Sequence, residues 1–176
     1  MKFLVFGGSF NPIHIGHLIL AEEVREEFGF DAVIMVPAAQ PPHKALEEDP
    51  GAAARLTMLR LAVAGNQAII IDDCEIVRRG ISYTVETLTY LIDRYQMTEK
   101  PGLLIGEDLR EGFGSWYQPE RVAEMSDIII ARRDLSLEDG YARSSLPSSP
   151  ETFVFRHQYA HNRLISISSS EIRERI

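Results

Sequence analysis

Cysteine is nearly absent: the chain has one in 176 residues, Cys74. A lone thiol leaves no internal disulfide and no Cys-x-x-Cys pair for zinc or redox chemistry, and it fits a reducing, cytoplasmic compartment. Apolar runs of membrane-spanning length, about 18–20 residues, are missing. So is an N-terminal basic segment followed by a long apolar stretch and a cleavage site, so neither export nor a membrane partner is expected. Positive charge is in deficit, with 18 Lys and Arg against 26 Asp and Glu and a formal net charge of −8. That balance argues against a broad nucleic-acid surface. A small phosphate-bearing substrate remains compatible with it, because a local basic pocket suffices. There is no internal repeat and no break in composition to mark a second domain. A chain of this length can bury one sizeable core.

The stretch around which the chain is organised is Gly7–His17, GGSFNPIHIGH. It follows a short apolar run, Lys2–Phe6, of strand character. It precedes Leu18–Phe28, where Leu18, Ala21, Val24 and Phe28 recur at helical spacing. Strand, glycine turn and helix is the layout in which backbone N–H groups and a helix N-terminus face an anion. Gly7 and Gly8 carry no Cβ, so a phosphate can come close to the backbone. His14 and His17 lie three residues apart and share a face if the helix begins at or before His14. Paired histidines on a helix also occur as plain surface residues or zinc ligands. Zinc would need further Cys, His or carboxylate ligands, and the preceding strand and Gly-Gly turn favour phosphate, so no protein-held metal is expected.

Strands and helices alternate along the rest of the chain. Phe30–Val36 is expected as a strand after a helix stop at Gly29. Pro37–Lys44 is a proline-stiffened loop at that strand's C-terminal end, where open α/β sheets bind ligands. His43 and Lys44 can meet phosphate there or simply form a solvated tip. Ala52–Ala64 is a helix with Leu56, Leu59 and Val63 on one stripe, and Ala68–Asp72 is a strand. Glu75–Arg79 is expected to be extended. A helix runs from near Ser82 or Thr84, either of which can cap it, to about Tyr95. Gly102–Ile105 and Asp127–Ala131 are strands, and Thr152–Phe155 and Leu164–Ile167 are short extended pieces. Ser168 caps a last helix that contains Arg173. The expected fold is one α/β domain, a Rossmann-like, doubly wound and mainly parallel sheet.

Several stretches, in this order, resemble the nucleotidyltransferase superfamily and within it bacterial nicotinate mononucleotide adenylyltransferase. They are Gly7–His17 with its His-x-Gly-His, Pro41-Pro-His-Lys44, Ser82-Tyr-Thr84, Gly106-Glu-Asp108, Trp116-Tyr117 and Ile167-Ser-Ser-Ser-Glu-Ile-Arg173. Ser9, Asn11 and Glu86 stand where that family commonly has Thr, Asp and Asp. Members usually continue past the last motif, so residues 1–176 are expected to be a single nucleotidyltransferase domain that lacks the family's C-terminal end.

The resemblance implies adenylyl transfer from ATP to nicotinate mononucleotide, giving nicotinate adenine dinucleotide and pyrophosphate in NAD biosynthesis. Mg²⁺ would be carried by the ATP phosphates. It implies catalytic roles for His14, His17 and Arg173. ATP would be held by Gly7, Gly8, Ser9, His14, His17, Gly106, Asp108, Ser169 and Arg173. The mononucleotide would be held by Lys44, Thr84, Val85, Trp116 and Tyr117. An enzyme for nicotinamide mononucleotide or phosphopantetheine, and a catalytically silent nucleotide sensor, are the alternatives. Homo-oligomerisation is left open.

Overall fold

Six parallel strands form one sheet in the order β3-β2-β1-β4-β5-β6. The computed structural model describes residues 1–41, 48–132 and 153–176. The strands are β1 (Phe3–Gly8), β2 (Ala32–Pro37), β3 (Ile69–Ile71), β4 (Gly102–Gly106), β5 (Asp127–Ala131) and β6 (His157–Tyr159). Between and after them run α1 (Ile15–Glu27), α2 (Ala52–Ala62), α3 (Cys74–Arg78), α4 (Thr84–Arg94), α5 (Pro119–Met125) and α6 (Ser169–Glu174).

The near-continuous apolar runs of β1, β2, β4 and β5 are what a parallel sheet covered on both faces requires. Successive side chains point to opposite faces. Phe3 and Val5 of β1 therefore join Cys74, Val85, Leu88, Leu91 and Val122 from α3, α4 and α5 in one core. Leu4 and Phe6 join Ala21 and Val24 from α1 and Leu59 from α2 in the other. Cys74 is buried in the first of these, and burial with Asp72 alongside pushes its thiol up to about 12.

The predicted stop at Gly29 is present. Gly29 has φ +67°, and the Phe30 amide donates to the Arg25 carbonyl, closing the helix end. Residues 75–79, expected to be extended, are instead mostly helical: Cys74–Arg78 makes a short helix. Buried Asp72 starts it, with its carboxylate accepting from the Cys74 amide at 3.0 Å. This Asx-type contact outweighs the strand propensity of a short apolar segment. The last strand is His157–Tyr159 rather than Thr152–Phe155. Phe153 and Phe155 leave the sheet to stack against Phe113, at 5.9 and 4.2 Å between ring centroids, and Thr152 lies outside the described residues. Leu164–Ile167 belongs to no strand.

β1 is followed by a crossover to β2 on one side and has β4 on the other. The C-terminal ends of β1 and β4 therefore flank the point where strand order reverses. Ligands of open α/β sheets bind in the crevice at that point. Gly7 and Gly8 end β1, and Gly106 ends β4.

Candidate active site

The turn after β1 is built from the inside. Phe10 has φ +45° and is 2% exposed. Its ring lies edge-on to Phe6 and to His17, with centroids 5.5 and 5.3 Å apart. A Cβ on Gly8 would stand 3.0 Å from that buried ring and push against it, so packing favours glycine there. Gly7 is different. A Cβ on it would meet nothing within 4 Å, and its φ is not in the left-handed region. Neither packing nor backbone conformation asks for glycine at this exposed position.

α1 starts immediately after the turn, with His14 as its N-cap residue. The His14 and His17 rings lie against each other, centroids 3.7 Å apart and planes tilted by 35°, as three-residue spacing allows. The His14 amide donates to His17 Nδ1 at 3.3 Å. With Nδ1 accepting, the ring carries its proton on Nε2, the nitrogen on the far side from the His14 amide. Gly16 lets the His14 ring and the Ile167 side chain come to close quarters. A Cβ there would lie 3.1 Å from His14 Nδ1 and 3.1 Å from Ile167 Cγ2.

Gly16→Ala is accordingly expected to lower turnover several-fold to tenfold. A displacement of about 1 Å in such sites costs about 10²-fold, and this Cβ requires a few tenths of an ångström. Stability should not fall, since helix propensity favours alanine by up to about 1 kcal/mol. Thermal unfolding and kcat measured together check this, and wild-type turnover would show that the close approach is not used.

The C-terminal segment closes the same turn from the other side. Ser169 Oγ donates to the Pro12 carbonyl at 2.8 Å, and Arg173 Nη1 donates to the Asn11 carbonyl at 2.6 Å. Ser168 caps α6 as the sequence predicts, its hydroxyl accepting from the Glu171 amide. The Arg173 side chain is largely buried, and its Nε has no hydrogen-bond acceptor among the described residues; the Glu48 carboxylate stands 3.8 Å away, beyond hydrogen-bond reach. Farther back, the same segment is clipped to α1. The Arg163 amide and guanidinium donate to Glu23, and the His161 amide donates to Glu27 at 2.9 Å. Despite partial burial, the Arg163 hydrogen bonds hold the Glu23 carboxyl below its usual range.

On the other flank, α4 begins at Thr84 with Val85 as its second, buried residue. The amides of a first helical turn have no intrahelical acceptor. The N-cap residue is Tyr83, not Ser82 or Thr84. The Ser82 hydroxyl is occupied elsewhere, accepting from the Ala39 amide at 3.0 Å. Trp116 leans on buried Phe113 at 4.9 Å, and half-exposed Tyr117 on Tyr83 at 4.7 Å. Trp116 and Tyr117 follow a single 3₁₀ turn, Phe113–Ser115. Asp108 is exposed in another, Glu107–Leu109, directly after β4. Lys44, with His43, lies outside the described residues.

Arg55 on α2 is absent from the sequence-based selection. It is fully buried, with Nη1 donating to the Ser9 carbonyl at 2.7 Å, Nη2 to the Ala39 carbonyl at 3.3 Å and Nε to the Asp49 carboxylate at 2.9 Å. A signal existed: Arg55 and Leu59 are four apart, so a charge interrupts the apolar stripe of that helix.

The family model for cytidylyltransferase-like proteins matches residues 5–175. The chain belongs to that family. Among curated members, a protein of Borrelia garinii subsp. bavariensis named "probable nicotinate-nucleotide adenylyltransferase" is 40% identical over all of this chain and 83% of its own length. One of Salinibacter ruber with the same name is 38% identical over 97% of this chain and 83% of its own length. These identities over nearly the full chain place it with the nicotinate-nucleotide adenylyltransferase members of the family. Of the solved structures, the nicotinic acid mononucleotide adenylyltransferase of Plasmodium falciparum complexed with NaAD superposes with a TM-score of 0.74. That likeness covers 98% of this chain and 82% of the other at 20% identity, and it shows the shared fold.

Proposed function

We propose that the protein transfers the adenylyl group of ATP to nicotinate mononucleotide, yielding nicotinate adenine dinucleotide and pyrophosphate. One observation carries the reading. Arg173, 162 residues away in sequence, reaches the Asn11 carbonyl of the turn that leads into His14 and His17, at the end of the strand beside the switch point. The buried Nε–H of Arg173 has no hydrogen-bond acceptor among the described residues, with the Glu48 carboxylate at 3.8 Å. The turn that Arg173 holds carries two imidazoles and a glycine that packing does not explain, a donor set suited to phosphate oxygens. Family membership and the names of the full-length relatives support the same reading.

The chemistry needs little from the protein beyond position and charge. The mononucleotide phosphate is itself the nucleophile, largely dianionic near neutrality because its second pKa is about 6. One of its oxygens attacks the α-phosphorus of ATP, the bond from that phosphorus to the bridging oxygen breaks, and pyrophosphate leaves. No side chain is acylated or phosphorylated. His17 Nε2–H donates to the oxygens on which charge develops, with His14 beside it, and Arg173 and Ser169 hold the leaving phosphates. Gly7, Gly8 and Ser9 line the turn over which the triphosphate lies. Gly106 and Asp108, at the end of the adjacent strand, meet ribose hydroxyls. Mg²⁺ enters as part of the nucleotide substrate, on the ATP phosphates. The described donors around the turn are imidazole, guanidinium, hydroxyl and backbone N–H. They suit the phosphates rather than the ion, and among the described residues no group of three or more His, Cys, Asp or Glu is placed to hold one.

Lys44 supports the acceptor phosphate in this reading, and Thr84, Val85, Trp116 and Tyr117 form the nicotinate pocket. Trp116 fixes the plane of the ring, and backbone N–H groups around Val85 and Tyr117 receive the carboxylate. Among the described residues no helix is long and apolar enough to cross a membrane. The reading places the enzyme in the cytoplasm as one nucleotidyltransferase domain.

The test is pyrophosphate release from ATP with nicotinate mononucleotide, nicotinamide mononucleotide and phosphopantetheine offered separately. A carboxamide would point an NH₂ at N–H donors and leave a buried group unpaired at about 1–3 kcal/mol, so nicotinate should win by roughly 5- to 150-fold in kcat/KM. Trp116→Ala should weaken both pyridine acceptors while the preference persists, because the backbone carries it. Equal use of the two by the wild type would refute the pocket assignment. No release with any acceptor would favour a silent nucleotide sensor.

A further inference from the structure

We infer that Arg55 is a positioning residue that holds the nucleotide turn after β1 and the acceptor-side loop before α4 at a fixed separation. The inference rests on the adenylyl-transfer reading for what each loop binds, though not for the geometry itself.

Arg55 is 0% exposed. Burying a guanidinium is costly, and apolar side chains of similar volume in place of a whole buried ion pair are often neutral or stabilising. Fold stability alone is therefore a poor reason for an arginine on the apolar stripe of α2. Its acceptors supply a better one. Two of the three are main-chain carbonyls on different loops: Ser9, in the turn that precedes His14, and Ala39, just past the end of β2. The Asp49 carboxylate balances the charge and fixes the third side of the fork, and it also accepts from the Gly51 amide at the N-cap of α2.

From Ala39 the connection continues. The Ala39 amide donates to Ser82 Oγ at 3.0 Å, and the Ser82 amide donates to the Gln40 carbonyl at 2.9 Å, beside the bridge between Gln40 and Ile81. The next residue, Tyr83, is the N-cap of α4 and packs on Tyr117, and Thr84 opens the helix. A run of hydrogen bonds thus leads from Ser9 through Arg55 and Ala39 to Ser82, which the main chain joins to the aromatic pair and helix start on the other flank. A two-substrate displacement depends on the spacing of the two reactants, and Arg55 spans that spacing. A lysine cannot replace it, because one point-like ammonium does not reach three acceptors in the plane of a guanidinium.

The experiment compares wild type with Arg55→Lys, Arg55→Met, Ser82→Ala and the double variant that combines Arg55→Lys with Ser82→Ala. Turnover is read with whichever mononucleotide the wild type uses and normalised to folded protein. Binding of ATP alone and acceptor alone is measured by calorimetry, and amide exchange is followed through the sheet and loops. For Arg55→Lys, kcat should fall by about 10²-fold, as a displacement near 1 Å costs, with each binary dissociation constant within about threefold of wild type. Exchange should rise at Ala38, Ala39 and the residues around Phe10, and stay unchanged at Leu103–Ile105 and Ile128–Ile130. Ser82→Ala breaks the run at its far end without touching a charge. It should repeat the pattern in weaker form, and its effect should be less than additive with that of Arg55→Lys. It also decides the matter if Arg55→Met does not fold.

An unchanged kcat per folded molecule would overturn the inference. So would a loss explained by weaker binding of one ligand, exchange raised evenly through the sheet, or full additivity of the two substitutions. A wild type that turns over none of the acceptors would refute adenylyl transfer, and the exchange pattern would still decide the role of Arg55.

Discussion

Replacing His17 by alanine is expected to slow pyrophosphate release by about 10²–10³-fold, the usual cost of removing one oriented donor at a centre of developing charge. The expectation follows from how the ring is held. Its Nδ1 is committed to the His14 amide, and its edge contact with Phe10 places it against a side chain that is itself buried. Nε2–H is thus a donor oriented before substrate arrives, which is the condition under which such a group lowers a barrier. The imidazole is only partly buried, so its removal should cost the fold about 1 kcal/mol, the common value for a point substitution. Steady-state kinetics and thermal unfolding on the same preparation separate the two effects. A soluble His17→Ala protein with near-normal turnover would remove His17 from the mechanism.

Arg173→Ala should be of similar severity, with a loss in kcat/KM for ATP of about 10² or more, because truncating one side of a buried charged pair costs about 2–5 kcal/mol. Two functions end together. The guanidinium proposed to meet phosphate is gone, and α6 loses its hold on the Asn11 carbonyl. Arg173→Lys separates them: an ammonium keeps the charge but cannot bridge the carbonyl and a phosphate in one plane. It should recover part of the affinity for ATP and little of kcat. Wild-type kcat/KM in the lysine variant would show that only charge is required.

How far the sequence discloses this molecule depends on the distance over which each decision is taken. The β1, α1 and β2 units are legible because local patterns settle them: apolar runs for a sheet covered on both faces, a 3.6-residue stripe, and a glycine of positive φ at the helix stop. Cys74–Arg78 is not legible, since its helix is begun by the buried Asp72 carboxylate. Nor is His157–Tyr159, a strand because β5 offers it an edge while the neighbouring phenylalanines are drawn to Phe113. The site divides in the same way. The His-x-Gly-His stretch and Arg173 declare themselves as motifs, but the contact between Arg173 and Asn11 is a tertiary fact. Ser82 shows the opposite failure. A hydroxyl ahead of a helix suggests a cap, and the loop after β2 claims it instead. Arg55 lies at the extreme, a charge on an apolar stripe whose purpose becomes visible only once two distant carbonyls are seen beside it.

The joining of residues 11 and 12 to residues 169 and 173 also has a consequence for biosynthesis. Ribosomes add about 5–20 residues each second, so the two sides of this contact are made roughly 10–30 s apart. During that interval the first strand, the histidine helix and the second strand can pair and bury their apolar surface, yet Asn11 and Pro12 present carbonyls with no arginine or serine to receive them. Chains cut short before Arg173 would carry every histidine and glycine of the motif and still lack the assembled form of the proposed phosphate site. Activity should therefore emerge late and abruptly along a series of nascent chains of increasing length, well after the sheet order is established.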